Sequence, residues 1–507
     1  MNPDLILGLS GIDGRLAVGL VRDGRVLFAV EEDKLRRFRG LGLQHLKDIG
    51  SRALSVAMAV VPGGIRAIGR VAYVPSVGAV PVQVNRETEL IQEFLKRHYG
   101  ASPPVDAVDH VEAHFAFERA VHPDADHVFM LGRSSASYSA RPGETPCLDV
   151  PCRLVSVAER LAAFAGFPPA RIHHLENMAR YGEPRFTETL KGLLDEGIEQ
   201  DTAGLEAVLG EATGLRRRLS GEPLDSRHYD FAASVYEVLK TGTIGVIRSV
   251  PEDKRRGTIA VCGGVFQSWT LNDSVAAAFP GNRFLASFAP GNASGAIGGP
   301  LVSSGSALKE PVGPFLGPEY SREEVKAVLD NAKVRYALHS LGETTDLVCE
   351  ALEAGRMVGW FGGRCEFGYR ALGARSVFAS PANPYACDNL SSYLKKRPGY
   401  FAYAVAIDGN NALVRGLDSP YLSRSAILGE YFGDARVRIQ SVSKIGVPPL
   451  WQLLEAFRKK TGVPALLNTS LNYFDEPIAC EPRDALKTFY ASGLDMLVME
   501  GFVLAKD

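Results

Sequence analysis

The chain has 507 residues, too many for one ordinary hydrophobic core, so two domains are expected. Hydrophobic residues make up 46% and charged residues 22%, and the net charge of −2 gives no global field to gather nucleic acid or an anionic membrane. No apolar run has membrane-span length and the start lacks a signal-peptide pattern, so a cytoplasmic protein with neither nucleic acid nor membrane as partner is expected.

In chain order, the pattern predicts strands over Leu5–Leu9, Arg15–Arg22 and Arg25–Glu31, the last two joined by an Asp23-Gly24 hairpin turn. A helix over Leu43–Val60, a strand over Arg70–Val74 and a helix over Glu87–His98 follow, then a strand over His127–Leu131. A long helix spans Asp230–Val250, and strands over Thr258–Val261 and Phe284–Phe288 each run into a glycine-bearing turn. Ser303–Tyr320 is rich in Ser, Gly and Pro and reads as a linker. Beyond it come a helix over Ser321–Ala332 with a Ser321/Glu324 capping box, a strand over Met357–Phe361 and a helix over Pro384–Lys396 capped by Asn383. Strand Ala402–Asp408, helix Pro448–Thr461, strand Ala465–Asn468, helix Pro482–Ala491 and strand Met496–Met499 complete an α/β alternation. The seven cysteines are scattered and read as reduced thiols; Cys147 and Cys152 lie close, but two thiols cannot fill a tetrahedral shell.

The most informative run is Arg364 to Ser376. It holds three guanidiniums (Arg364, Arg370, Arg375) and the Glu366 carboxylate within thirteen residues, with Gly368 and Gly373 to let the backbone turn. Arginine forks suit phosphate and carboxylate, so a nucleotide or an acyl phosphate is the natural guest; the plainer alternative is a salt-bridged surface loop. Lys395 and Arg397 close the next predicted helix. Asn468, Thr469, Ser470 and Asn472 follow a strand and add neutral donors to the same pocket. Two turns, one at Gly263 and Gly264 and one at Gly291 and Asn292, suit nucleotide phosphates, though such turns also merely pack helices on sheets. His110 and His114 share a helix face, giving two donors of a metal shell or, more plainly, a buried histidine pair.

The run Glu366-Phe367-Gly368-Tyr369-Arg370-Ala371-Leu372-Gly373-Ala374-Arg375-Ser376 and the run Leu467-Asn468-Thr469-Ser470-Leu471-Asn472 resemble the paired motifs of the NodU/CmcH family of O-carbamoyltransferases. Val30-Glu31-Glu32, Ala179 to Pro184, Gly263 to Val265 and Leu316 to Ser321 add weaker matches. The resemblance implies an actin-like (TsaD/Kae-type) transfer domain over 1–302, a linker over 303–320 and a YrdC-like α/β domain over 321–507. It further implies that carbamoyl phosphate and ATP give carbamoyl adenylate, and that the carbamoyl group then passes to a hydroxyl of a small-molecule natural product. Arg364, Arg370, Arg375, Lys395, Arg397 and Asn468 would hold carbamoyl phosphate and nucleotide, with Glu366, Ser376, Thr469, Ser470 and Asn472 around them. His110 and His114 would hold a divalent metal (Fe, Zn or Mg), and a homodimer or a paralogous partner subunit is implied.

Several positions depart from the family pattern. Ile12 stands where the family has histidine, and Gly132-Arg133 where it has Asp-Gly. Asn292 replaces a metal-binding aspartate, and Tyr369 and Ala374 replace a proline and an asparagine. Phe401-Ala402-Tyr403 lacks an expected arginine. These losses fall mostly on the transfer half, so a degenerate, non-catalytic partner of an active carbamoyltransferase is the alternative.

Overall fold

The computed structural model describes residues 2–76, 78–140, 148–167, 172–195, 202–219, 221–473 and 475–506; Cys147 lies outside them. Two compact units are seen. One comprises Met1–Asp124, Ala286–Arg397 and Tyr403–Asp507, the other Ala125–Leu285 and Pro398–Ala402. The linker expected at 303–320 lies inside the first unit.

In the first unit, β1 (Asn2–Ser10), β2 (Ala17–Arg22), β3 (Arg25–Glu31), β4 (Ile68–Val74) and β5 (Val105–Ala107) form a sheet in the order β3-β2-β1-β4-β5. The first three strands run antiparallel in succession, and β4 pairs parallel to β1. Asp23 and Gly24 both have positive φ, 49° and 73°, as a two-residue hairpin turn requires. Leu5, Leu7, Leu9, Val18 and Leu20 point into one core with the Arg52–Val60 and Pro81–Tyr99 helices. The other face takes the Gly295–Ser304 helix at backbone contact: a Cβ on Gly8 or Gly19 would lie 2.0 or 2.2 Å from the Ala296 carbonyl oxygen. A Cβ on Gly298 would lie 1.8 Å from the Ala113 carbonyl oxygen, so the same helix seats the His110–Val121 helix.

The second unit repeats this topology. β6 (His127–Leu131), β7 (Ser135–Ser139), β8 (Leu148–Pro151), β9 (Gly257–Cys262) and β10 (Asn282–Ala286) are ordered β10-β9-β6-β7-β8. Again three strands run antiparallel in succession and the fourth, β9, returns parallel to the first.

The remaining strands build a nine-stranded mixed sheet in the first unit: β11 (Ala337–Leu338), β12 (Val358–Phe361), β13 (Arg375–Ala379), β14 (Ala404–Asp408), β15 (Arg424–Ile427), β16 (Arg436–Val442), β17 (Ala465–Ser470), β18 (Met496–Met499) and β19 (Phe502–Ala505). Both faces are apolar. One packs under the Pro482–Ala491 helix, the other under the Leu341–Glu353 and Pro448–Thr461 helices. The fold is thus mixed α/β, as expected. Among the described residues no helix is long and apolar enough to cross a membrane, and the six described cysteines are free.

Three expectations need correction. The Leu43–Val60 helix is two pieces, a short Leu43–Leu46 turn and the Arg52–Val60 helix, because Gly50 at φ 73° breaks it and Ser51 caps the second piece. The Pro384–Lys396 helix is only a turn over Ala386–Asp388 and a wider turn over Asn389–Leu394, ended by Lys396 at φ 47°. Asn and Ser residues there compete locally for backbone hydrogen bonds. The 303–320 segment is not a loose tether: Leu316 accepts from Ala29 N–H, Gly317 N–H reaches the Cys365 carbonyl, and Cys365 N–H the Pro318 carbonyl.

Gly298→Ala should lower stability by about 2 kcal/mol or more, since backbone atoms must move to admit the methyl. Gly245→Ala, in open space on the exposed side of the Ser226–Ser249 helix, should raise it by roughly 0.5–1 kcal/mol. Denaturant titration of both variants checks the pair.

Candidate active site

The arginine run is a loop between β12 and β13, built on a carboxylate. The buried Glu366 side chain turns inward, and its Oε1 accepts the N–H groups of Leu372, Ala374 and Arg375 at 2.8, 2.8 and 3.1 Å. Lys34 holds the other side. Its Nζ donates to the Glu366 and Gly368 carbonyls at 2.6 and 2.7 Å and pairs with Glu31 at 2.9 Å. Glu31 in turn accepts the Gly368 N–H at 2.7 Å. Burial alone would lower the Lys34 pKa; the Glu31 carboxylate and the nearby Cys365 and Cys480 together more than offset it, so the ammonium stays charged. Gly368 is required where it stands: its φ is +99°, and a Cβ would lie 2.4 Å from the Phe288 carbonyl oxygen.

Within this loop the three arginines differ. Arg375 is fully buried over the Phe361 ring and donates to the carbonyls of Gly362, Gly363 and Ala374 at 3.0, 2.9 and 3.1 Å. Arg364 donates to Gly317, Leu27 and Leu316 carbonyls. Both therefore brace backbone, and Glu366 does likewise; none of the three is aimed at a ligand by these contacts. Arg370 stacks on Tyr369 with 4.5 Å from guanidinium to ring centroid. Burial first, and then the nearby Arg370 charge, push the Arg397 pKa down to about 10, with Arg39 adding to the repulsion and Asp475 opposing it. Arg39 was not singled out from sequence; it reaches the Asp475 and Glu476 carbonyls from the N-terminal part of the chain.

Lys395 is buried and spends its donors on the second motif. Its Nζ reaches the Ser470 carbonyl, the Asn472 carbonyl at 2.9 Å and Asn472 Oδ1 at 2.5 Å. Burial, and then Arg397, lower its pKa well below the ordinary lysine value. Asn468 Nδ2 donates to Gln440 Oε1 at 2.7 Å, and Gln440 Nε2 to the Leu372 carbonyl at 2.7 Å, tying β16 and β17 to the arginine loop. The pairing of β13 with β17 sets Ser376 opposite Ser470 and Phe378 opposite Asn468, so Ser376, Asn468 and Ser470 share one sheet face; the half-buried Thr469 points to the other. Ser376 Oγ and Asn468 Oδ1 are buried and have no hydrogen-bond partner. Buried polar atoms left unpaired are costly in a finished fold and ordinary where a ligand completes them.

Elsewhere in this unit, His110 and His114 lie with ring centroids 4.7 Å apart. His110 Nδ1 is 2.9 Å from the Pro75 carbonyl, which fixes its proton there. His114 Nδ1 is 3.1 Å from Ser294 Oγ, whose own proton goes to the Gly291 carbonyl. Both Nε2 atoms are thereby left with lone pairs. Burial lowers both pKa values, His114 well below the usual value, so both rings are neutral. Asn292 opens the Asn292–Ser294 turn ahead of the Gly295–Ser304 helix, and Gly291 supplies the carbonyl that orients Ser294. Two neutral imidazoles suit zinc or iron but make half a shell. Among the described residues no group of three or more His, Cys, Asp and Glu could hold a metal, so the side chains present do not complete a resident site. Two turns along from His110 on the same helix, the fully buried Glu118 accepts a hydrogen bond from Ser287 Oγ at 2.7 Å; no motif in the sequence marks it.

In the second unit, Gly263 has φ +108°, and a Cβ would lie 2.1 Å from the Leu131 carbonyl oxygen. Close packing of β9 on β6 explains this glycine without a phosphate. Gly264 has open space and begins a Gly264–Gln267 turn.

Residues 349–506 match the family described as Carbamoyltransferase C-terminus. The nodulation protein NolNO of Sinorhizobium fredii is 26% identical over 97% of this chain and 78% of its own. A 3'-hydroxymethylcephem-O-carbamoyltransferase of Amycolatopsis lactamdurans is 31% identical over 30% of this chain and 31% of its own. Among solved structures, component A of the (R)-2-hydroxyglutaryl-CoA dehydratase of Acidaminococcus fermentans covers 59% of this chain and 98% of its own at 11% identity and a TM-score of 0.36. The resemblance read from the two motifs is borne out by the family match and the named relatives.

Burial pushes the Glu118 pKa up to about 8. A carboxyl whose folded value is raised favours the fold fully below about pH 4.5, and that advantage is lost as pH rises toward the folded value. Wild-type stability should therefore fall from pH 5 to pH 8 with a slope contribution of up to about 1.4 kcal/mol per pH unit. Glu118→Gln, still able to accept from Ser287, should flatten that slope in thermal melts across the range.

Proposed function

We propose, from the premise that this chain is a carbamoyltransferase-family protein, that it activates carbamoyl phosphate with ATP and carries the carbamoyl group to a hydroxyl of a small-molecule natural product. One observation carries the reading. Within the domain that matches the family, Ser376 Oγ and Asn468 Oδ1 are buried without partners on one sheet face, in two motifs of which one carries Arg370 and the other is held by Lys395. Buried polar atoms left unfilled are what a polar ligand completes, and arginine beside them suits an anionic one.

In the activation step, carbamoyl phosphate gives up its phosphate to water and leaves carbamate. A carbamate oxygen attacks the α-phosphorus of ATP, pyrophosphate departs, and carbamoyl adenylate results. Every partner is anionic, so the Arg370 and Arg397 charges offset repulsion as the reactants meet. Asn468 and Ser376 offer neutral contacts beside them, while Glu366, Arg364, Arg375 and Lys395 hold the two motifs in place. In the transfer step, the acceptor hydroxyl oxygen attacks the carbamoyl carbon and AMP leaves. The neutral His110 and His114 present Nε2 lone pairs able to take the hydroxyl proton. A metal held there would act as a Lewis acid.

The repeated strand order of the two five-stranded sheets supports an actin-like reading of 1–302, with 321–507 as the YrdC-like part that forms the adenylate. A second reading, a partner subunit without turnover, is favoured by Asn292 and Gly132 in place of acids and by the short donor set at His110 and His114. It expects nucleotide binding with no pyrophosphate formed and co-purification with a related chain.

The test is pyrophosphate release from ATP with and without carbamoyl phosphate. Carbamoyl-dependent release is expected, lowered about 100-fold or more by Arg370→Ala and by Asn468→Ala in variants that remain folded. Release that does not depend on carbamoyl phosphate, or an unchanged rate in Arg370→Ala, would sink the assignment. Metal analysis of the same preparation, with His110→Ala beside it, should show no stoichiometric ion.

A further inference from the structure

Cys365 and Cys480 are both 0% exposed, and their thiols are hydrogen-bonded to each other. Cys365 is the second residue of the arginine run, directly before Glu366, and Cys480 lies a short way beyond the second motif. Both side chains enter the apolar core of the N-terminal five-stranded sheet.

The backbone on each side fixes the pair. Cys365 N–H reaches the Pro318 carbonyl, and the Cys365 carbonyl accepts the Gly317 N–H, both at 2.9 Å. Cys480 N–H donates to Asp484 Oδ2 at 3.0 Å, and the adjacent Ala479 N–H donates to the Leu471 carbonyl at 2.8 Å. The two sulfurs therefore meet in the folded chain as it stands, with no rearrangement needed to bring them together.

Their surroundings treat them unequally. The hydrogen bond from Cys480, and the Lys34 and Arg375 charges, lower the Cys365 pKa against burial and the Glu366 carboxylate. The same hydrogen bond, with burial, raises the Cys480 pKa. Cys365 is the thiol that yields its proton and Cys480 the one that keeps it, which is how an attacking thiolate and a resolving thiol divide their roles.

Access is governed by the segment 475–484, to which Cys480 belongs. Arg37 pairs with Glu476 at 2.9 Å and Asp484 at 3.5 Å, and donates to the Ile478 carbonyl at 2.7 Å. Arg52 pairs with Glu481, and Arg39 reaches the Asp475 and Glu476 carbonyls. Three arginines of the N-terminal part of the chain thus hold this segment down. A fully buried thiol meets a solute only when such a segment lifts.

We propose that Cys365 and Cys480 are an oxidisable pair, converted by hydrogen peroxide to a disulfide when the 475–484 segment lifts. The Cys365 thiolate attacks one peroxide oxygen and the O–O bond breaks. The sulfur keeps one oxygen as a sulfenic acid, and the other leaves as hydroxide, which takes up the proton Cys365 had released and becomes water. The Cys480 sulfur then attacks the Cys365 sulfur, the S–O bond breaks, and the Cys480 proton leaves with that oxygen as a second water. Two thiols give up two protons and two electrons to one peroxide. The bond would staple the start of the arginine loop to the segment after the second motif, so that the segment could no longer lift. The inference does not depend on the carbamoyl reading.

The test treats the folded full chain with hydrogen peroxide, blocks remaining thiols, digests without reduction and weighs the peptides. A single linked pair joining Cys365 to Cys480 is expected, two hydrogens lighter than the separate peptides and released by a dithiol. High salt or Arg37→Ala should speed linkage about tenfold, since either loosens the ion pairs over the segment. Oxidised wild type should melt about 5 °C or more above the reduced protein, and Cys480→Ala should show no such rise. Linkage of another pair, over-oxidation of Cys365 without a cross-link, or two thiols inert to peroxide at high salt would overturn the proposal. An unchanged linkage rate in Arg37→Ala would overturn the gating by the segment.

Discussion

A single buried ammonium organises the arginine loop. Lys34 leaves water for a site with three acceptors: two carbonyls of the arginine loop and the Glu31 carboxylate. Stripping water from a charge costs several kcal/mol, and only close, well-aimed acceptors offset it. That condition fixes where Glu366 and Gly368 sit. Once they are fixed, the Glu366 carboxylate gathers three backbone N–H groups and sets the loop's curvature. Arg375 and Arg364 then brace carbonyls on either side. The path of the loop, and so the position of Arg370, follows from a contact with a residue of the N-terminal sheet region.

This arrangement separates two uses of positive charge that look alike in sequence. Arg364, Arg375 and Lys395 are consumed by backbone oxygens and keep two motifs in register. Arg370 instead stacks on Tyr369, and its charge is one cause of the lowered Arg397 pKa. A structural polar group finds its partners within its own fold; one that a ligand completes is left with an atom unpaired. Asn468 shows both behaviours in one side chain, its amide nitrogen joined to Gln440 and its carbonyl oxygen left over.

Much of the fold was readable because local chemistry agreed with global packing. Asp23-Gly24, the Ser321/Glu324 capping box, the Pro448–Thr461 and Pro482–Ala491 helices and the Met496–Met499 strand stand where their residues indicated. The Pro384–Lys396 stretch misled at its start and in its winding: the helix begins at Ala386 after Tyr385, not behind an Asn383 cap, and its Asn389–Leu394 part is wound more widely than an α-helix. The 303–320 stretch misled in the opposite sense: Gly and Pro suggested slack, whereas those residues let the backbone lie against the Cys365 carbonyl and β3. The site motifs were visible from their spacing, but the division of labour within them was not. Lys34 sits in a charged run that would ordinarily be solvent-facing, and Gln440 alternates with apolar residues as an exposed strand position would. Nothing local to either residue reveals its distant partners, 332 and 334 positions away for Lys34 and 28 and 68 for Gln440.

That separation has a consequence for biosynthesis. The two carbonyl acceptors of the Lys34 ammonium are 332 and 334 residues further along the chain. The Gly295–Ser304 helix that covers the first sheet also arrives long after the sheet's own strands. A ribosome therefore releases the N-terminal strands well before they can be covered or their buried charge fully compensated, and the Ala125–Leu285 part of the second unit is made in between. The nascent chain must carry an exposed sheet face, and a lysine with only its Glu31 partner, through most of its translation. The unit that begins the sequence is the last to close, and the arginine loop takes shape only with that closure.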